Sequence, residues 1–79
     1  SALSPGGLMT VQAAREAIRL NRVTEATDVL HTLDPARGEL RGYFGYWVLL
    51  TDAYHLAGRH DDELAAVRRA RALYPLNPE

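Results

Sequence analysis

Three histidines, His31, His55 and His60, are the first candidates for chemistry in this 79-residue chain. A neutral imidazole ligates metals and moves protons near neutral pH. His60 is followed by Asp61, Asp62 and Glu63, superficially a ligand cluster. Yet the three histidines share no metal-ligand spacing with one another. His60 to Glu63 also sits where a helix should begin, and carboxylates there are accounted for by capping and by the positive end of the helix dipole. No metal site and no cofactor are therefore expected. The chain has no H-E-x-x-H and no G-x-x-x-x-G-K, and Gly6-Gly7 precedes no phosphate-cradling pattern. No Ser-His-Asp constellation or other convergent set of acid, base and nucleophile is visible, so an enzyme is not expected.

Charge narrows the partners. Nine basic residues, all Arg, oppose ten acidic ones for a formal net charge of -1. That balance gives no overall attraction to nucleic acid or to an anionic membrane. Arg68-Arg69-x-Arg71 reads as a solvated helix end rather than a phosphate contact. No apolar run approaches the roughly 20 residues of a membrane span, and no signal peptide is evident. Cysteine is absent, which excludes disulfides and thiolate chemistry and is compatible with a reducing compartment; a cytoplasmic location is expected. The Arg and Ala richness suggests a high-GC bacterial source. Starting at Ser1 and ending just past a helix stop, the chain is expected to be a piece of a larger protein.

The elements that would position any site are helical. A hydrophobic content of 47% suffices for one small core. Residues 1–7, with Ser4-Pro5-Gly6-Gly7, read as a flexible tail. A first helix is predicted from about Leu8 to Leu20, with Val11, Ala14, Ala17 and Ile18 at three- and four-residue spacing. Asn21 marks a turn, and Thr24 is the predicted N-cap of a second helix that stops at Asp34-Pro35. Ala36 to Gly42 reads as a polar connector. A third helix lies between Glu39 and Ala57, fixed by Trp47, Leu50, Ala53, Tyr54 and Ala57. Gly58 is a natural left-handed C-cap. A fourth helix runs from near Asp61 to near Leu73, before Pro75 and Pro78. The expected fold class is all-α, two stacked antiparallel helical hairpins.

The hairpins resemble each other at a shift of 37 residues, which places Asn21 on Gly58, Thr24 on Asp61 and Leu30 on Val67. Repetition on that scale implies stacked supersecondary units. Trp47-x2-Leu50 and Tyr54, with Ala53, Gly58, Leu64, Ala70, Leu73 and Pro75, resemble the 34-residue tetratricopeptide repeat (TPR). On that resemblance residues 8–35 form a degenerate first repeat, 36–43 a connector and 44–77 a clear second repeat, within a domain covering 8–79. Three positions depart from the pattern: Thr51, Val67 and Glu63, the last replacing the Ala that lets the helices approach. A carboxylate there must reach solvent, take an Arg partner or cost stability.

The resemblance implies a protein or peptide partner held in a groove lined by the first helix of each unit. Carried over by position, Val11, Arg15, Ile18 and Arg19 line it from one helix, and Val48, Leu49, Asp52, His55 and Leu56 from the other. Arg15 and Arg19 would hold an acidic side chain or a carboxylate; their alternative is a solvated face with Arg15 paired to Glu16 or Asp28. Tyr43, Phe44 and Tyr46 cannot all face one core, so they are candidate exposed contacts. Leu64, Val67 and Leu73 should be partly bare, which would permit self-association through the fourth helix. The function expected is an interaction module of a larger signalling or regulatory protein, similar to repeats trailing bacterial serine/threonine kinases. The alternative is a spacer or oligomerisation element with no peptide ligand.

Overall fold

The computed structural model describes residues 6–75, which form four helices and, among the described residues, no strand. They are α1 (Gly6–Arg19), α2 (Val23–His31), α3 (Phe44–Leu56) and α4 (His60–Leu73), with a single 3-10 turn at Gly38–Leu40. The fold is all-α: α1 with α2, and α3 with α4, make two hairpins, and α3 packs on both α1 and α2. The Cα envelope is only 16 Å in its thinnest direction. With helix axes about 8–10 Å apart, that leaves room for two layers.

The hairpin turns share one hydrogen-bond pattern. After α1, Arg22 N–H donates to Ala17 C=O (2.8 Å) and Asn21 N–H to Ile18 C=O (2.9 Å). After α3, Arg59 N–H donates to Tyr54 C=O (2.9 Å) and Gly58 N–H to His55 C=O (3.1 Å). Each pair is the Schellman closure of a helix C-terminus, with Asn21 (φ 64°) and Gly58 (φ 74°) in the left-handed position. The 37-residue correspondence thus extends to the backbone of both turns. It continues into the second helices, where Ala26 N–H bonds Arg22 C=O and Glu63 N–H bonds Arg59 C=O. Thr24 is consequently not the N-cap of α2. The chain leaves the turn directly into Val23, and Arg22 caps the helix without a side-chain bond.

Other boundaries shift for local reasons. α1 takes in Gly6 and Gly7, which the sequence assigns to the tail; residues 1–5 lie outside the described part. A Cβ at Gly7 would come within 2.5 Å of the Leu40 side chain, so this glycine gives Leu40 its place against α1. Leu40 is 2% exposed, making the connector a packed element rather than a purely polar loop. Glu39 beside it accepts from Leu8 N–H at 3.3 Å, a free donor of the first turn of α1. α2 ends at His31, ahead of Asp34-Pro35. Thr32 closes it by bonding Val29 C=O through both its N–H (3.1 Å) and its hydroxyl (2.7 Å). α2 has nine residues against fourteen for α4.

The core forms where the stripes of the helices meet. Val11, Ala14 and Ala17 of α1 and Ala26 and Leu30 of α2 are buried, with Ile18 packed against them. α3 is central, burying Tyr46, Trp47, Leu49, Leu50, Ala53 and Tyr54. α4 contributes the small side chains Ala66 and Ala70, which allow close approach to α3. Two phenols of α3 join the hairpins: Tyr46 Oη donates to Leu30 C=O at 3.0 Å, and Tyr54 Oη is hydrogen-bonded to His31 Nε2. Both grip the last turn of α2.

Candidate functional site

The residues carried over from the repeat resemblance divide between exposed and buried positions. Arg15, Arg19, Val48, Asp52 and His55 are all exposed, as groove residues must be. Val11 and Leu49, also placed on the groove by position, are core. Arg19 is held by Glu16 through a two-point contact, Nε to Oε1 at 3.1 Å and Nη2 to Oε2 at 2.5 Å. That hydrogen bond lowers the Glu16 carboxyl below its ordinary range and raises the Arg19 guanidinium. Glu16 therefore belongs to Arg19, and the anticipated Arg15–Glu16 pair gives way to it.

Val48 faces a cleft between α3 and α4. Phe44, Trp47, Val48 and Thr51 line it from α3, and Val67, Ala70, Arg71 and Tyr74 from the other side, around about 190 Å³. Arg71 is the single charged residue of this lining. Phe44, 51% exposed, meets Tyr74 edge to face at a centroid distance of 5.3 Å. The expectation that one of the three aromatics turns outward is met by Phe44. Tyr46, by contrast, is not an exposed contact. It is 3% exposed because its register on α3 points it at the end of α2, where its hydroxyl finds Leu30 C=O. Tyr43 is half-buried against the core.

Further apolar surface flanks this cleft. Leu64 and Leu73 on α4 are 49% and 47% exposed, and Val67 is half-buried. Trp47, fully packed as an inner wall, has its indole N–H buried without an acceptor among the described residues. The guanidinium of Arg69 lies 5.3 Å from the Trp47 ring on a second, smaller cleft that also includes His31, Tyr54 and Asp62. A cation over an indole face is favourable by about 0.5–2 kcal/mol.

The closed end of the same hairpin holds a cluster that sequence spacing did not reveal. His55, in the last turn of α3, and His60, the first residue of α4, both direct Nδ1 at Glu63 Oε1, each at 3.2 Å. Their rings pack at 64° with centroids 5.5 Å apart. Glu63 thus keeps part of its side chain in solvent and is met by two imidazoles rather than by Arg. The hydrogen bond from His60 is the largest influence holding its carboxyl below the ordinary range, and burial opposes that shift before the His55 bond adds to it. Arg59, the nearest guanidinium in sequence, is engaged elsewhere, with Nε on Asp62 Oδ2 at 2.8 Å and the guanidinium 5.1 Å from the Tyr54 ring. The signal available in the sequence was Glu63 itself, a carboxylate where the pattern this stretch resembles has Ala.

Among the described residues no helix is long and apolar enough to cross a membrane. No protein-family model, curated protein or solved structure gives a match to this chain.

Proposed function

We propose that the chain is a non-catalytic protein-interaction module built from two tetratricopeptide-type repeats, a piece of a larger bacterial signalling or regulatory protein in which it follows a serine/threonine kinase domain. The observation that carries the reading is the open apolar face of the second hairpin, where Phe44, Val48, Val67 and Tyr74 border a cleft between helices already packed on one another. Such a face accepts an amphipathic helix of a partner, whose apolar side chains fill a groove at i, i+3, i+4 and i+7 spacing. The internal repetition of the two Schellman turns supports stacked units as the architecture. Arg15 and Arg19 are secondary to this reading, since the cleft draws on neither.

The test is a peptide-display selection against the full chain, followed by titration of the recovered peptides. Peptides with helical apolar spacing should bind wild type and lose affinity on Val48→Asp, while Arg15→Ala/Arg19→Ala leaves them unaffected. Acidic peptides that instead depend on the two arginines would refute the cleft reading. Exposed Leu64 and Leu73 favour a second reading, self-association through α4 as an oligomerisation element without a peptide ligand. Sedimentation equilibrium at micromolar concentration separates the two, because a strict monomer counts against the second.

A further inference from the structure

We propose that His55, His60 and Glu63 form a binding site for a divalent transition-metal ion, Zn²⁺ foremost, that clasps the end of α3 to the start of α4. The three residues each offer a donor atom, and these atoms all lie within 4.8 Å of one another. Two of the three spacings, from the carboxylate oxygen to each imidazole nitrogen, are 3.2 Å. A tetrahedral Zn²⁺ with ligands at about 2.0–2.1 Å keeps neighbouring donors about 3.4 Å apart. Those edges therefore already have ligand spacing, and rotation of two exposed rings sets the third.

The donor chemistry selects the ion. Two imidazoles and one carboxylate suit Zn²⁺, Ni²⁺ or Cu²⁺, whereas Mg²⁺ and Ca²⁺ take oxygen ligands. Three protein ligands leave a fourth position for water. Local charge also favours a cation: Asp61, Asp62 and Glu63 stand in succession, and the guanidinium beside them, Arg59, is bound to Asp62. Glu63 is left to the histidines. Binding a metal would displace the Nδ1 protons, the exposed rings turning so that both lone pairs converge on the ion beside Glu63 Oε1. This site is independent of the partner cleft, which lies along the helices and shares none of its residues.

The experiment is calorimetric titration of ZnCl₂ into the untagged, chelator-treated full chain near neutral pH, with thermal melts in parallel. One-to-one saturable binding and a rise in Tm with Zn²⁺ are expected, since a ligand of the folded state stabilises it by mass action. Loss of even an outer partner of a metal site costs about 10–100-fold, so His55→Ala and His60→Ala should each weaken binding by about tenfold or more. Glu63→Gln should weaken it as well. His31→Ala, whose histidine lies on α2, should leave affinity unchanged. All three ligand variants retain the core, which circular dichroism checks. No saturable binding at millimolar Zn²⁺, wild-type affinity in either histidine variant, or Mg²⁺ binding as tightly as Zn²⁺ would overturn the proposal.

Discussion

Replacing Tyr46 with Phe tests whether the two hairpins are tied through the end of α2. The ring is 3% exposed and meets Trp47 edge to face at 5.1 Å, and Phe preserves both features. What disappears is one hydrogen bond, Oη to Leu30 C=O at 3.0 Å. A neutral intramolecular bond contributes about 0.5–1.5 kcal/mol net. The larger penalty for orphaning a buried acceptor does not apply, because Leu30 C=O also accepts from Leu33 N–H at 3.2 Å. The expected loss is therefore about 1 kcal/mol. Total stability at about 0.05–0.15 kcal/mol per residue comes to roughly 4–12 kcal/mol for a chain of this length. In thermal melts the loss should appear as a Tm decrease of about 4–8 °C, with the urea m-value unchanged. Alkaline pH gives a second handle. Burial raises the Tyr46 phenol above its ordinary value, so the unfolded chain gives up its proton first. Stability then falls as pH rises past the ordinary tyrosine range, and Tyr46→Phe should lose part of that slope. An unchanged Tm together with an unchanged alkaline slope would refute the tie.

Two further outcomes follow from the turns and from Glu63. Gly58→Ala forces a Cβ into left-handed backbone (φ 74°) with open space around it, so the expected cost is conformational, about 1–2 kcal/mol; Asn21→Gly at the matching position should be neutral or stabilising, and chemical denaturation of both variants checks the pair. Glu63 has a carboxyl held below its ordinary range, so its contribution is complete above that range and is lost as pH falls through the depressed value. The urea midpoints of wild type and Glu63→Gln should accordingly differ near neutral pH and converge in acid, and a constant difference across that range would count against the histidine contacts.

Much of the helical framework was legible because it rests on periodicity. Trp47, Leu50, Ala53 and Tyr54 recur at three- and four-residue spacing and are buried together. The match of Asn21 to Gly58 was also legible, since few residue types accept a left-handed C-cap. Side-chain destinations at the helix entries were less so. Thr24 has the chemistry of an N-cap, but the Schellman turn delivers the chain into α2 two residues too early for it to serve. The crowding of Tyr43, Phe44 and Tyr46 required one to turn outward, yet spacing within α3 could not say which. That choice depends on where the last turn of α2 lies, a tertiary fact set by Thr32 and by the packed connector around Leu40.

Glu63 shows how a departure from a repeat pattern can locate a site whose members cannot be grouped by sequence spacing. His55 and Glu63 stand on different helices, and His60 begins the second of them, so no single helical period relates all three. Their meeting depends on the turn between them. Gly58 in left-handed backbone reverses the chain at once, which brings the last turn of α3 beside the first turn of α4. A longer loop would separate them. A hairpin that needed only close helix approach would be served by Ala at position 63, as Ala66 and Ala70 serve it further along α4. A carboxylate instead brings a charge that has to be balanced. The adjacent Arg59 could have done so, but it is committed to Asp62 and to the face of Tyr54. The carboxylate is met instead by two imidazoles, a side-chain type that can exchange an N–H proton for a metal ion.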